Sequence, residues 1–493
     1  MNKKLILKDK LSIFGKLMIL IGLVVLTPIL LIPFYPEEKY LTWTFLLPGA
    51  LSIFLGFVHS IIFRNSSEYS SDRLFEYHKS SVIVVFAWLW GFLIGALPFV
   101  FSSQLRFVQA LFESVSGFTT TGLSVMDVSK VPKIFLFYRS FMQYCGGLGF
   151  VLVMLIIVSG KRSMDLFSAE GHPDKLLPAL KKTSRIIFLM YIAFLLIGTL
   201  AYCICGMPLF DSINHTMCAL STGGFSTKLN SIGEYKSLSI DLVTVVLMVI
   251  GTSNFAVLLL FVKGQWRKLA KVSEMRFFFL ILSISTIFCG INLSKSFGWS
   301  FGEGLRQALF NTSSALSTTG YSTMAYTDWP QFSIGLMIIL MLIGGGIGST
   351  AGGLKLTRVY LLFRFIQMRI KKSISSSRRI SVDYYTKAQG KVKIDNDVCI
   401  ESLGFISLYM ILFFIGSLLI TLTANSSWTE AMFEFASSIG TVGLSIGLTG
   451  PNTNDATLLV EIVGMFVGRL EIFIVVIASY SAIVGVKKAL RRS

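Results

Sequence analysis

Four glycine turns carry the residues of this chain best suited to chemistry, and that chemistry is coordination rather than catalysis. Gly117–Val125 reads G-F-T-T-T-G-L-S-V, Ala219–Thr227 reads A-L-S-T-G-G-F-S-T, Ser317–Met324 reads S-T-T-G-Y-S-T-M and Ser437–Ile446 reads S-S-I-G-T-V-G-L-S-I. Aligned, they place Gly122, Gly224, Gly320 and Gly443 in one register, recurring about every 100 residues with one longer gap, which marks an internal repeat. A dehydrated cation needs oxygens in place of its water, and rings of backbone carbonyls supply them. Glycine reaches backbone conformations that other residues avoid and lets a carbonyl turn inward. Thr120, Thr121, Thr222, Gly223, Thr318, Thr319, Thr441 and Val442 flank the glycines and add further carbonyls and hydroxyls. Loop punctuation or close packing competes as the reading of any one such glycine. Four in register, each behind a short half-apolar segment, favour four turns meeting on one axis around an ion path.

The fourth turn, Thr441-Val442-Gly443, matches the opening of the T-V-G-Y-G potassium filter, and Leu444 and Ser445 replace its continuation. A shorter filter with fewer binding sites is expected. Two other features lie inside apolar segments. Gly344, Gly345, Gly346, Gly348, Gly352 and Gly353 interrupt a long apolar run and would loosen a helix by roughly 1 kcal/mol each. They predict either a flexible constriction or a small-residue packing face. Gly346-x-Gly348-x-x-Ala351 also fits a dinucleotide fingerprint, but no strand–helix unit surrounds it and the region downstream is basic. Arg469 sits within the last apolar segment, where a charge costs about 2.5–3.5 kcal/mol, so it is a functional candidate, with an ion pair or snorkelling as the structural alternative. Glu471 would lie about 200° round the same helix, facing elsewhere. Glu113, Glu430, Glu434 and Asp211 read as capping or solvated groups, and His59, His78, His172 and His215 show no ligand spacing.

The elements that must position these residues are apolar helices. Of 493 residues, 53% are hydrophobic and 14% charged, with mean hydropathy +0.71; a soluble chain carries about a quarter charged. The net charge of +18 falls in short loops between apolar segments, a positive-inside pattern that excludes a nucleic-acid binder. Six cysteines without metal-ligand spacing exclude a disulfide framework. Leu11–Phe34 and Leu41–Phe63 predict two leading spans. Four units follow, each an outward helix, a short re-entrant half-helix, a glycine turn and an inward helix. Their inward helices are expected at Ile134–Ser159, Leu238–Val262, Phe332 to about Phe363 and Leu458–Val486. The expectation is an all-α polytopic membrane protein of ten spans. It divides as 1–79 (tail and two helices), 80–160, 161–263 and 264–365 (units one to three, with the loop 344–353), 366–398 (basic linker) and 399–493 (unit four). The basic stretches 161–185, 263–276, 355–393 and 487–492 all fall on the side of the N-terminus if each turn re-enters from outside. Lys355–Lys393 suits anionic lipid or a docked partner.

Several stretches resemble the Trk/Ktr/HKT superfamily of potassium transporters, and most nearly the TrkH-type membrane subunits of bacterial Trk systems. They are Ala110–Gly122, Ala219–Thr227, Gly344–Lys355 (G-G-G-I-G-S-T-A-G-G-L-K) and Gly468–Phe473 (G-R-L-E-I-F), within a match from about Asp72 to the end. The resemblance implies a potassium path at Gly122, Gly224, Gly320 and Gly443, an intramembrane gating loop at Gly344–Gly353 and an arginine, Arg469, beneath the filter. It also implies a homodimer with a cytoplasmic nucleotide-binding regulatory subunit, seated in the bacterial inner membrane with both termini cytoplasmic. Glycine rather than serine at position 122 favours potassium over the sodium-permeable branch. No cofactor is expected in this chain; potassium is substrate and any nucleotide belongs to the partner. An intramembrane enzyme using Arg469, Glu471 and His215 is the remote rival, and nothing in the sequence brings those groups together.

Overall fold

The computed structural model describes residues 12–63, 73–149, 180–374 and 383–490. The basic N-terminal tail, the inner end of the helix expected at Ile134–Ser159, most of the loop 161–185, Arg378 and Arg379 of the linker and the last three residues lie outside them.

Among the described residues the regular secondary structure is helical apart from one hairpin, β1 (Tyr384–Lys387) against β2 (Gly390–Lys393), paired antiparallel. The two leading helices, α1 (Ile13–Leu26) and α2 (Thr42–Ile62), pack along glycines. A side chain on Gly22 would come 2.6 Å from the Gly49 carbonyl oxygen, the close backbone approach by which helices associate without a hydrophobic drive. Large side chains such as Leu422 (79% exposed) and Ile204 (78%) face outward, while Ser114, Ser116, Thr119 and Thr312 are buried. This inversion of the soluble pattern suits an apolar solvent, in which backbone and polar groups must be satisfied within the protein.

Four short helices repeat one arrangement. They are α4 (Phe107–Phe118), α7 (Leu209–Leu220), α11 (Phe301–Leu316) and α15 (Trp428–Ile439). The longest has 16 residues, about 24 Å at 1.5 Å per residue and short of a 30 Å hydrocarbon core. Each packs against the long helix before it: α3 (Arg73–Phe101), α6 (Leu180–Ile204), α10 (Ser273–Phe297) and α14 (Asn396–Ala424).

The helices following the second and fourth turns differ from the expected continuous spans, and the third is interrupted at its glycine-rich stretch. The first, α5 (Lys133–Leu148), is described only to its end at Gly149. The second divides into α8 (Leu238–Thr252) and α9 (Phe255–Val262), bent by 117°. Asn254 starts the new helix by accepting from Ala256 N at 2.7 Å. The third stops at Gly344, φ +69°, after α12 (Gln331–Ile343) and resumes as α13 (Leu356–Ile374). The fourth breaks between α16 (Asp455–Arg469) and α17 (Ile472–Leu490), at 98°, with Glu471 at φ +59°. Among the described residues six helices are long and apolar enough to cross a membrane, eight if each bent pair counts once, against the ten expected. Broken helices divide an apolar run without changing its composition, so the run alone conceals them.

Candidate functional site

Each short helix ends in the same way. The N–H groups of Thr120 and Thr121 return to Gly117 O and Ser116 O, at 3.1 and 2.9 Å. Thr222 and Gly223 return to Ala219 O and Cys218 O, Thr318 and Thr319 to Ala315 O and Ser314 O, and Thr441 and Val442 to Ser438 O and Ser437 O. This is a Schellman cap, whose left-handed position normally holds glycine. Here it holds threonine four times, with φ +56° at Thr120, +52° at Thr222, +56° at Thr318 and +48° at Thr441. A β-branched residue in that region is a genuine outlier. The glycines in register follow at φ +93°, +74°, +83° and +99° for Gly122, Gly224, Gly320 and Gly443.

The four turns close a ring. A Cβ on Gly122 would overlap the Gly223 carbonyl oxygen, one on Gly224 that of Thr319, one on Gly320 that of Val442, and one on Gly443 that of Thr121. Each glycine thus faces the carbonyl before the glycine of the next turn, and the fourth returns to the first. All four glycines line a single cavity of about 510 Å³, shared with Arg139, Lys228 and Ser445. One carbonyl has a side-chain partner that the sequence did not reveal: Gln143 Nε2 donates to Gly223 O at 2.6 Å, and Gln143 Oε1 accepts from Phe225 N at 3.1 Å.

Behind the ring lies a second repeat. Nine residues before each glycine stand Glu113, His215, Asn311 and Glu434, all fully buried. Each ties its helix to the chain leaving the turn. Glu113 accepts from Ser124 Oγ at 3.1 Å and Val125 N at 3.2 Å. A ring nitrogen of His215 is 3.0 Å from Ser226 Oγ. Asn311 Nδ2 donates to Thr323 Oγ1 at 2.8 Å, and Glu434 accepts from Ser445 Oγ at 2.7 Å and Ile446 N at 3.1 Å. Glu113 also receives Arg139 Nε at 2.5 Å, so it is a buried ion-pair member rather than a solvated group. Glu430 does cap, closing a box with Ser427. Asp211 is buried against Thr227 Oγ1 (2.7 Å) and the Tyr235 hydroxyl (2.9 Å). The constant offset from the glycine was the available signal for all four positions.

The glycine-rich stretch forms a loop that contacts the threonines of the second and third turns. Gly352 N donates to Thr318 Oγ1 at 2.9 Å, and Thr350 Oγ1 lies 3.2 Å from Thr222 Oγ1. Gly346 N bonds Thr252 O at 3.1 Å, and Gly348 O accepts from Phe255 N at 3.1 Å. Gly345 O accepts from Leu356 N at 2.8 Å, and a Cβ on Gly344 or Gly353 would strike the opposite strand of the loop. Asn254 Nδ2 reaches Ile347 O, and Lys355 Nζ turns back to Ala351 O. The loop therefore docks against the break in the second unit's helix. Arg469 fastens it from the other side: one terminal nitrogen donates to Thr350 O and the other to Gly146 O, each at 2.6 Å. Glu471 does not share a helix with Arg469, because the chain breaks between them; its carboxylate pairs with Arg358 at 2.7 Å. His215 and Glu471 have different partners, so the residues of the enzyme rival do not form one constellation. Asn254, Gln143 and Arg139 carry no spacing signal because they are single polar residues in apolar runs, and Thr350, Lys355 and Arg358 lie inside stretches legible only as a whole.

The family model for TrkH, described as a cation transport protein, matches residues 50–483. The Trk system potassium uptake protein TrkG of Escherichia coli (strain K12) is 30% identical over 488 residues, covering 94% of this chain and 96% of that protein. The potassium uptake protein TrkH of Vibrio parahaemolyticus is 32% identical over 419 residues, covering 80% and 84%. The crystal structure of the potassium transporter TrkH from Vibrio parahaemolyticus superposes with a TM-score of 0.82 at 28% identity, over 96% of this chain and 98% of that one. The chain belongs to the TrkH family of cation transport proteins and is a multi-pass membrane transporter, not an enzyme.

Proposed function

We propose that this protein takes up potassium through four pseudo-symmetric repeats around one pore, as the membrane subunit of a Trk-type system. The filter is formed by Thr120, Thr121, Gly122, Thr222, Gly223, Gly224, Thr318, Thr319, Gly320, Thr441, Val442 and Gly443. The observation that carries this reading is the closed ring of glycine-to-carbonyl approaches, which brings backbone oxygens from four turns to one place. The short helices aim their C-terminal, negative dipole ends at that place. A potassium ion would lose its water at the ring and then meet the loop Gly344–Gly353 and Arg469. The loop's hydrogen bonds to Thr222 and Thr318, and the hold of the Arg469 guanidinium on Thr350 O, support this role for it. Lifting the loop opens the path. In this reading the two leading helices and four repeats, bounded as in the sequence division, give ten crossings of the bacterial inner membrane with both termini cytoplasmic. The protein works as a homodimer in lipid with a nucleotide-binding regulatory subunit.

The test is rubidium and sodium flux into liposomes holding the purified protein, with Gly320→Ser alongside. Wild type passing rubidium over sodium, and Gly320→Ser losing that preference, is the expected result. An unchanged preference in Gly320→Ser would overturn the filter assignment.

A further inference from the structure

The first and fourth turns are braced by the same residue type in opposite electrostatic settings. Glu113 faces the guanidinium of Arg139. Glu434, its counterpart, faces a second carboxyl group, Glu461 on α16, and both are fully buried. No cation pairs with either among the described residues. Thr449 joins them: its hydroxyl reaches Glu434 Oε1 and lies 2.8 Å from Glu461 Oε1.

One hydroxyl has one proton, so it donates to one carboxylate only. Glu434 is already well supplied as an acceptor, with Ser445 Oγ at 2.7 Å and the N–H groups of Ile446 and Thr449 at 3.1 Å each. Glu461 has Thr449 alone, and its Oε2 is buried without a hydrogen-bond partner. A bare carboxylate there would be an unpaired charge beside a like charge, whereas a neutral acid supplies the missing donor and leaves only a carbonyl oxygen unpartnered.

We propose that Glu461 is a proton-binding site: its acid O–H donates to Thr449 Oγ1, whose own proton goes to the Glu434 carboxylate, and this relay holds the fourth turn in register. On deprotonation the proton passes to water on the side of the outer cavity, which Ser445 lines. Two like charges then share Thr449, and the brace on Ser445 and Ile446 slackens. The surroundings offer no compensating charge. On α15 the other acid, Glu430, is engaged with Ser427 at the outer end. On α4, Glu113 is paired with Arg139, and Arg106 just before that helix pairs with Asp455 of α16 at 3.0 Å. On α14 the titratable groups besides Tyr409 are Asp397, Cys399 and Glu401 near its start. Arg469 closes α16 two turns away on Thr350 and Gly146, and α17 has basic residues only at its far end, Lys487 and Lys488.

The effect on ion passage rests on the filter assignment above; the proton itself does not. Infrared difference spectra of the full-length protein in lipid should show a protonated-carboxyl band that shifts in heavy water, disappears as pH rises and is missing in Glu461→Gln. Rubidium flux of wild type should fall with that band, about tenfold per pH unit beyond the midpoint, and Glu461→Gln should be flat over the same range. A band unaltered by Glu461→Gln overturns the proposal, as does the same alkaline loss of flux in both proteins. Should Glu461→Gln fail to fold, wild type alone decides: flux falling with no carboxyl band lost at that pH overturns the proposal, and coincidence of the two supports it. Should no ion pass in any variant, the infrared result still decides the proton site, and the failure lies with the filter.

Discussion

The glycine ring and the loop beneath it are built from the same materials, glycine and threonine, and are held in opposite ways. The ring is backbone against backbone. Four Schellman caps fix each turn to its helix, and each glycine lies against a carbonyl with no room for a methyl group. Nothing there moves without the helices behind it. The loop occurs once and is held by separate hydrogen bonds, from the side chains of Thr222, Thr318, Asn254 and Arg469 and from the backbone at Thr252 and Phe255. Each such bond contributes about 1 kcal/mol net, more for the charged ones, so the loop can be released piecemeal. An element that discriminates ions needs fixed oxygens, and one that opens needs contacts it can exchange; the proposed filter and gate divide along that line.

The comparison is broken most severely at the ring. Gly443→Ala sets a methyl group against the Thr121 carbonyl at φ +99°. The expected result is loss of at least tenfold in rubidium-over-sodium preference, corresponding to about 1.4 kcal/mol, in the liposome assay. Gly447→Ala is the matched control, because its φ of +103° is as strained but its surroundings are open. It should cost about 1 kcal/mol in thermal stability and leave selectivity alone. Equal losses of selectivity in the two variants would mean that backbone strain, not the close approach, matters.

Removing the guanidinium comes next. Arg469→Ala deletes two charge-assisted bonds that pin the loop to the first unit's helix at Gly146, worth about 1.5–3 kcal/mol each. Flux should rise, by tens-fold if most of that energy distinguishes closed from open, with selectivity unchanged. A fall in flux would make the arginine a brace for the open path instead. The smallest effect is expected for Thr318→Val, which keeps the β-branched shape and removes the acceptor for Gly352 N. About 1 kcal/mol should raise flux a few-fold, and altered selectivity in this variant would show that ring and loop are not separable.

Much of this architecture is legible in the residues. The glycine register, a short helix before each glycine and the loop residues all come from repetition or composition. The second and fourth inward helices read as continuous in the sequence, because Ser253–Asn254 and Leu470–Glu471 are unremarkable pairs inside apolar runs. Hydropathy measures what a segment is made of, not its direction, so bends of 117° and 98° leave no trace in it. The hairpin Tyr384–Lys393 was hidden within a stretch read for its charge.

The sequence by itself determined an apolar helical chain, a fourfold repeated glycine in one register, a glycine-rich stretch and an arginine inside an apolar run. These are local or periodic properties, and local propensity and periodicity are what a sequence displays. Only the tertiary structure decided the partners. It set Gly443 against Thr121, Glu113 against Arg139, Glu434 against Glu461, and Arg469 on Thr350 and Gly146. Those contacts join residues tens to hundreds of positions apart, and which buried polar groups meet is fixed by helix packing. In a low-dielectric interior each polar group must find a partner, but the chain does not say which until the helices are in place.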